Sequence, residues 1–159
     1  MGALETPTDE RGVLTGMLDW DRAVVGNKAL GLDRAGATRI ATPSGVTVLG
    51  LVTHLTAVEA RWFQHHLAGD PGVPSSEGSF DPPPGLTVED AVAAYRATCA
   101  TSQEITAGLA LDAVGAIPHL HLGAVTLRYG LAHMIEETAR HLGHMDVLRE
   151  LTDGQVGDG

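Results

Sequence analysis

Of the eight histidines in this 159-residue chain, three fall in one short stretch with a glutamate: His133, Glu137, His141 and His144. At about 100° per residue, with His133 at zero, His144 falls near 20°, Glu137 near 40° and His141 near 80°. All four share one helical face. The apolar stripe of Leu148, Met134, Leu127, Met145, Leu131, Leu142 and Ile135 runs on from there, over roughly 60° to 200°. His141 therefore points to the core side and Glu137 to its margin. Ionisable groups at such places are costly to bury unless paired or bound to metal. Spacings of three and four residues put side chains within about 6 Å of one another at Cβ. In that geometry one helix can offer two ligands to one ion.

A further ligand has to come from another element. His54 adjoins a second apolar stripe of Val58, Leu51, Trp62, Leu55 and Val48, and is half-turned to the core. Two imidazoles and a carboxylate with an open position is the pattern of a catalytic zinc site, and nickel or iron could use the same donors. Each residue alone has a blander reading. His54 reads equally as a core histidine with a hydrogen bond, and Glu137 with His141 as an ordinary i,i+4 surface pair. His65 and His66 close a helix and read as exposed, where histidine suits the helix dipole. His119 and His121 fall in a loop and read as solvated. Glu59, between Val52 and Phe63 on its wheel, calls for a charged partner, across a subunit interface on this reading. Asp19 to Arg22 reads as a solvated helix face.

Four main helices would position these groups. The first spans about Asp9–Leu30, with Leu14, Met17, Leu18, Asp21, Val24 and Val25 at helical spacing. Gly31–Gly45, rich in glycine, threonine and proline, reads as a loop. Ser44 is the expected N-cap of a second helix over Val46–Ala68, ended by Gly69-Asp70-Pro71-Gly72. An irregular connection, Pro71–Leu86, includes Pro82-Pro83-Pro84-Gly85 and is too stiff and polar for a helix. Thr87-Val88-Glu89-Asp90 resembles a capping box and opens a third helix that runs to about Ala110. Leu111–Val125 is a second loop. Thr126 caps a fourth helix over Leu127–Thr152, and Gly154 stops it. The pattern predicts an all-α four-helix bundle with one long crossover connection. Loops of that length are often functional, and this one could cover an end of the bundle. One domain over residues 1–159 is expected, with its core at about 9–154.

Composition narrows the function classes. The net charge of −10 repels phosphate backbones, so no nucleic-acid partner is expected. No apolar run approaches the roughly 20 residues that cross a membrane. Met1–Arg11 is polar and acidic and does not read as a secretory signal. Cys99 is the single cysteine, which excludes an internal disulfide and makes a reducing cytoplasm the expected setting. Within a helical stretch it reads as a small buried or half-buried residue rather than a nucleophile. One lysine, Lys28, and abundant alanine, glycine and leucine point to a GC-rich bacterial source.

Two segments resemble a known family. Pro43-Ser44-Gly45-Val46-Thr47-Val48-Leu49-Gly50-Leu51-Val52-Thr53-His54-Leu55, with Glu59 and Trp62-Phe63, is similar to the second helix of DinB-like proteins. Thr126-Leu127-Arg128, followed by His133-Met134-Ile135-Glu136-Glu137-Thr138-Ala139-Arg140-His141-Leu142-Gly143-His144-Met145-Asp146, is similar to their last long helix. The resemblance extends from about Leu14 to Gly154, within a subgroup common in actinobacteria. It implies a metal-binding four-helix bundle, often a homodimer. The broad family supplies three histidines, one from the second helix and two from the last. Glu137 in place of the first late histidine resembles the branch of mycothiol-dependent maleylpyruvate isomerases. On that alignment the metal ligands are His54, Glu137 and His141, and His144 and His133 are supporting positions beside them. The implied cofactors are a divalent ion, zinc before nickel or iron, and a low-molecular-weight thiol such as mycothiol or bacillithiol. The implied reaction is thiol transfer to a small-molecule substrate or a thiol-assisted isomerisation. Arg61 and Arg128 are candidate contacts for a substrate carboxylate. The alternatives are a small metal-dependent hydrolase and a non-catalytic metal-binding stress-response bundle.

Overall fold

The computed structural model of the protein describes residues 7–157. The expectation for Met1–Arg11 falls partly on residues 1–6, outside the described ones. The described residues form helices and no strand; the only β-pairings among them are isolated bridges at Val114 with Thr126 and His119 with Gly123. No helix of the described residues is long and apolar enough to cross a membrane.

Local capping chemistry sets most helix ends. Helix α1 spans Glu10–Leu30, and the Asp9 side chain accepts from Gly12 N at 2.9 Å. Helix α4 spans Val88–Ala107 under a Thr87 cap that accepts from Asp90 N at 3.1 Å. Helix α5 spans Leu127–Asp153, capped by Thr126 and stopped by Gly154 in the left-handed conformation at φ 76°. These caps satisfy N–H groups that the first turn leaves without partners.

The segment before His54 differs from expectation. A one-turn helix α2, Arg34–Ala37, interrupts the predicted loop, because Asp33 caps it by accepting from Gly36 N at 2.8 Å. Helix α3 spans Val48–Glu59, and its N-cap is Thr47 rather than Ser44. Ser44 is instead held by Thr42, hydroxyl to hydroxyl at 3.0 Å. Helix α3 then continues as a π-helical turn over Ala60–Leu67, with Ala68 N donating to Phe63 O at 3.0 Å. A π segment winds fewer degrees per residue than an α-helix, so its side chains lag behind α-helical positions. That lag turns His66 inward: it is buried, against the expectation of exposure. Helix α4 also ends earlier than Ala110, at a Gly108 cap.

Helix α1 packs mainly on α5 and α4, and α3 packs on α4 and α5. Two apolar clusters fill the bundle. One gathers Val24, Val25, Leu51, Leu55, Tyr95, Leu142 and Met145; the other gathers Leu18, Val58, Trp62, Phe63, Leu131 and Met134. Each long helix passes from one cluster to the other, and polar residues occupy the changeover. Arg22 on α1, Glu59 on α3, Ser102 on α4 and Thr138 on α5 are all buried there. Arg22 is therefore no solvated residue, and Glu59 finds its charged partner inside its own chain. The Arg22 guanidinium donates to Glu59 Oε1, and to Asp19 Oδ1 at 2.8 Å. Burial pushes the Glu59 carboxyl up, against the pull of Arg22.

A candidate metal centre at the seam of two cores

His54 and Glu137 stand at the same changeover, at the solvent margin of the polar layer. His54 lies one residue before Leu55 on α3, and Glu137 one before Thr138 on α5. The structure brings His54, Glu137 and His141 together with one ligand atom from each within 4.8 Å of the others. Glu137 Oε1 lies 3.2 Å from His54 Nε2 and 3.0 Å from His141 Nε2. Both histidines are buried, and Glu137 is half-buried. Hydrogen bonds with His141 and His54 hold the Glu137 carboxyl far below the usual range.

The Pro71–Leu86 loop closes against this group. Thr53 Oγ1 donates to Ser79 O at 2.7 Å, which anchors the loop on α3. Phe80 then stacks flat on the His54 ring, with centroids 3.8 Å apart and planes 12° apart. The close approach needs Gly50: a Cβ there would lie 2.4 Å from Phe80 O.

Ser79 also fixes the protonation of His54. Its hydroxyl donates to Ser76 O at 2.5 Å, so toward His54 Nδ1, at 2.9 Å, it can only accept. Nδ1 therefore carries a proton, and in the neutral ring Nε2 presents a lone pair to Glu137 Oε1. Two acceptors 3.2 Å apart need a positive charge between them: a proton on His54 or a metal ion shared by both. Ligand atoms about 2.1 Å from a tetrahedral ion lie about 3.4 Å from each other, close to the separations seen. The set could thus hold a metal ion. His141 is oriented the same way, with Nδ1 3.3 Å from His144 Nδ1. Metal-binding histidines commonly have the second nitrogen hydrogen-bonded in this manner.

The other expected residues are dispersed. His144 is exposed and reaches the site only through His141. It also lines an apolar cavity of about 280 Å³ with Val46, Val147 and Leu148. His133 is half-buried, 4.3 Å from the Trp62 ring, and burial holds its imidazole below the usual value against Glu137 and Glu136. Arg61 borders a separate cavity and donates to Val73 O at 3.3 Å. Arg128 pairs with Glu10 at 2.7 Å, two and a half turns from Glu137, and is not brought to the cluster. Arg140 Nη1 approaches Glu137 Oε2 at 3.6 Å. Sequence reasoning missed Ser79, Phe80 and Arg140. A lone aromatic inside a polar, proline-rich loop was the one available signal. Cys99 is buried, and burial pushes its thiol up to about 12.

No curated protein matches the chain. The family model described as mycothiol-S-transferase matches residues 13–154, nearly the whole length. The helical bundle, the layer of imidazoles and carboxylate and this match agree, and the chain belongs to the mycothiol-S-transferase family.

Proposed function

We propose that the protein is a metal-dependent transferase that moves a low-molecular-weight thiol of the mycothiol type onto a small electrophile. The carrying observation is the convergence of His54 Nε2, His141 Nε2 and Glu137 Oε1, with Ser79 leaving the His54 lone pair free. A second observation supports a thiol brought in from outside. At pH 7 a thiol with a pKa of about 12 is thiolate in about one molecule in 10⁵, and Cys99 is also sealed in the core. The reacting sulfur is therefore brought in from outside.

His54, Glu137 and His141 would hold the ion, zinc before nickel or iron. When bound, a divalent ion lowers the pKa of a thiol or water that it touches. Phe80 covers the His54 face and limits water access there. His133 lies one turn before Glu137, and burial holds its imidazole below the usual value, which favours the neutral ring that a thiol-proton acceptor needs. The sulfur then gives its electron pair to the electrophilic carbon, and the leaving group departs with the pair of the bond that breaks. A cytoplasmic homodimer belongs to the same reading.

The test is elemental analysis of untagged protein together with a thiol-consumption assay using mycothiol. One metal per chain is expected, with transfer lost in His141→Ala and after chelation. Substoichiometric metal that His141→Ala leaves unchanged would overturn the metal assignment.

A further inference from the structure

A second cavity lies further along the helix that carries His54, between it and the two long loops. It holds about 370 Å³ and is bordered by Arg61, Trp62, His65, His66, His119 and His121, among others. Half of the eight histidines of the chain are here. No acidic residue borders it, in a chain whose net charge is −10. A hollow with one arginine, four histidines and no acid, on an acidic protein, favours anions. A neutral sugar is instead gripped by carboxylates and amides as well as aromatic rings, and the wall has no carboxylate or amide side chain.

The hollow is built rather than incidental. The His66 and Leu67 carbonyls accept from Ile117 N at 3.0 Å and Ala116 N at 3.2 Å, which docks the second loop on the π-helical turn. Gly115 permits this, since a Cβ there would meet His66 O at 2.6 Å. The docked loop lays His119 over Trp62, centroids 5.5 Å apart and planes within 15°. His121 N donates to His119 Nδ1 at 3.2 Å, so in the neutral ring His119 Nε2–H is the donor left for a ligand, while His66 is held in the wall by Nδ1 donating to Ile117 O at 3.1 Å. Val73 O holds one edge of the Arg61 guanidinium, leaving its other N–H groups for a ligand.

One hydrogen bond ties the wall of the hollow to the candidate metal centre. Ser76 borders the hollow, and the Ser76 carbonyl accepts the Ser79 hydroxyl that orients His54. Val58 and Trp62 follow His54 by one and two turns, roughly 6 and 12 Å along the helix. At about 30 Å³ per water, the volume equals roughly a dozen waters, the size of a small organic molecule.

We propose that this cavity binds the acidic group of the electrophilic substrate. The substrate class is a small organic acid, carboxylate or phosphate, whose reactive carbon lies about 6–12 Å from the acid. The Arg61 guanidinium and His119 Nε2–H grip the acid, and Trp62 lines the path of the carbon skeleton. The proposal rests on the transferase reading for the identity of the substrate, and on the cavity alone for anion binding.

Binding is read from Trp62 fluorescence in a Trp20→Phe background, with and without metal. The probes are 4-methylbenzoate, phenyl phosphate and the neutral 4-methylbenzamide. Both acids are expected to bind metal-free protein, at least tenfold tighter than the amide, with the tighter acid naming the group. Arg61→Met and His119→Leu should each weaken the acids at least tenfold while leaving the circular dichroism spectrum intact. In thiol transfer, Arg61→Met should raise KM for 4-(chloromethyl)benzoate at least tenfold relative to 4-(chloromethyl)benzamide, with kcat nearly constant. Acid binding without any thiol transfer would overturn the transferase reading and support the anion site. Equal binding of acid and amide, or acid binding that needs metal and ignores Arg61→Met, would overturn the site itself.

Discussion

Ser79→Ala isolates the device that prepares His54. The substitution removes a hydroxyl that accepts from His54 Nδ1 at 2.9 Å and donates to Ser76 O at 2.5 Å. It leaves the Ser79 carbonyl, which accepts from Thr53, so the loop keeps its anchor and Phe80 keeps its place on the ring. The fold therefore loses two partly buried hydrogen bonds, each contributing about 1 kcal/mol. Such a loss lowers Tm by several degrees at this chain length. The metal site loses more in relative terms. Without the acceptor, His54 must leave Nδ1–H unpaired or move its proton to Nε2, where it blocks the ligand lone pair. Loss of such an orienting partner weakens metal affinity 10- to 100-fold, about 1.4–2.7 kcal/mol. The assay is competition for zinc against a chromophoric chelator at fixed pH, with Tm of the metal-free protein measured alongside. Ser79→Thr, which keeps the hydroxyl, should recover most of the affinity. A folded Ser79→Ala protein that binds zinc within twofold of the wild type would refute the reasoning.

Three other outcomes follow from the same geometry. Alanine is favoured over glycine inside helices by about 1 kcal/mol, yet Gly50→Ala should lower Tm and expose the 71–86 loop to proteases. The reason is the Cβ that would sit 2.4 Å from Phe80 O; a raised Tm with the loop still protected would refute that contact. Cys99, with its thiol near 12, should resist alkylation at pH 8 until the protein unfolds. Between about pH 9 and 10 the unfolded chain releases this proton while the folded chain keeps it, so stability should fall by up to about 1.4 kcal/mol per pH unit relative to Cys99→Ala; above about pH 10 the buried Tyr95 hydroxyl, also pushed up, adds a slope in both proteins. Arg22→Ala strands a buried carboxylate and should cost about 3–5 kcal/mol in urea unfolding, partly restored by adding Glu59→Gln. Burial raises the Glu59 carboxyl, so the folded Arg22→Ala protein binds the proton more tightly than the unfolded chain. Its stability should therefore rise as pH falls from neutral toward about 4.3. A flat profile would show that Glu59 escapes to water.

Two features encoded within one turn of chain were legible in the sequence. Thr87 and Thr126 stand directly before helices α4 and α5 as read, because a cap needs only its own side chain and the next three N–H groups, whereas Asp33 before the one-turn α2 was passed over among glycines and threonines. Ser44 was misread for Thr47 because both are hydroxyl residues before the same apolar run, and nothing local separates them. The helical wheel placed His54, Glu137 and His141 beside apolar stripes. That they meet across 83 residues was implied by the family resemblance, not by periodicity. The contacts of Ser79 and Phe80 on α3 were illegible for the same reason. A glycine in an apolar helix and a lone aromatic in a polar loop are each ordinary, and only their meeting has meaning.

The misread polar residues share a cause. Arg22 reads as part of a solvated helix face, His66 as an exposed helix end and Glu59 as calling for a partner in another subunit, so none is given a partner inside its own chain. That inference assumes one continuous core. In this bundle the core is divided, and the polar layer of Arg22, Glu59, Ser102 and Thr138 runs between the halves. Along that layer the margin of one stripe faces the margin of another, so polar groups meet each other before they meet solvent. Arg22 with Glu59 fills the inner part of the layer as an ion pair. At the outer edge His54, Glu137 and His141 form a hydrogen-bonded cluster with both histidines buried and Glu137 half-buried. The polar seam that makes the wheel misleading is thus the same feature that lets these three groups converge.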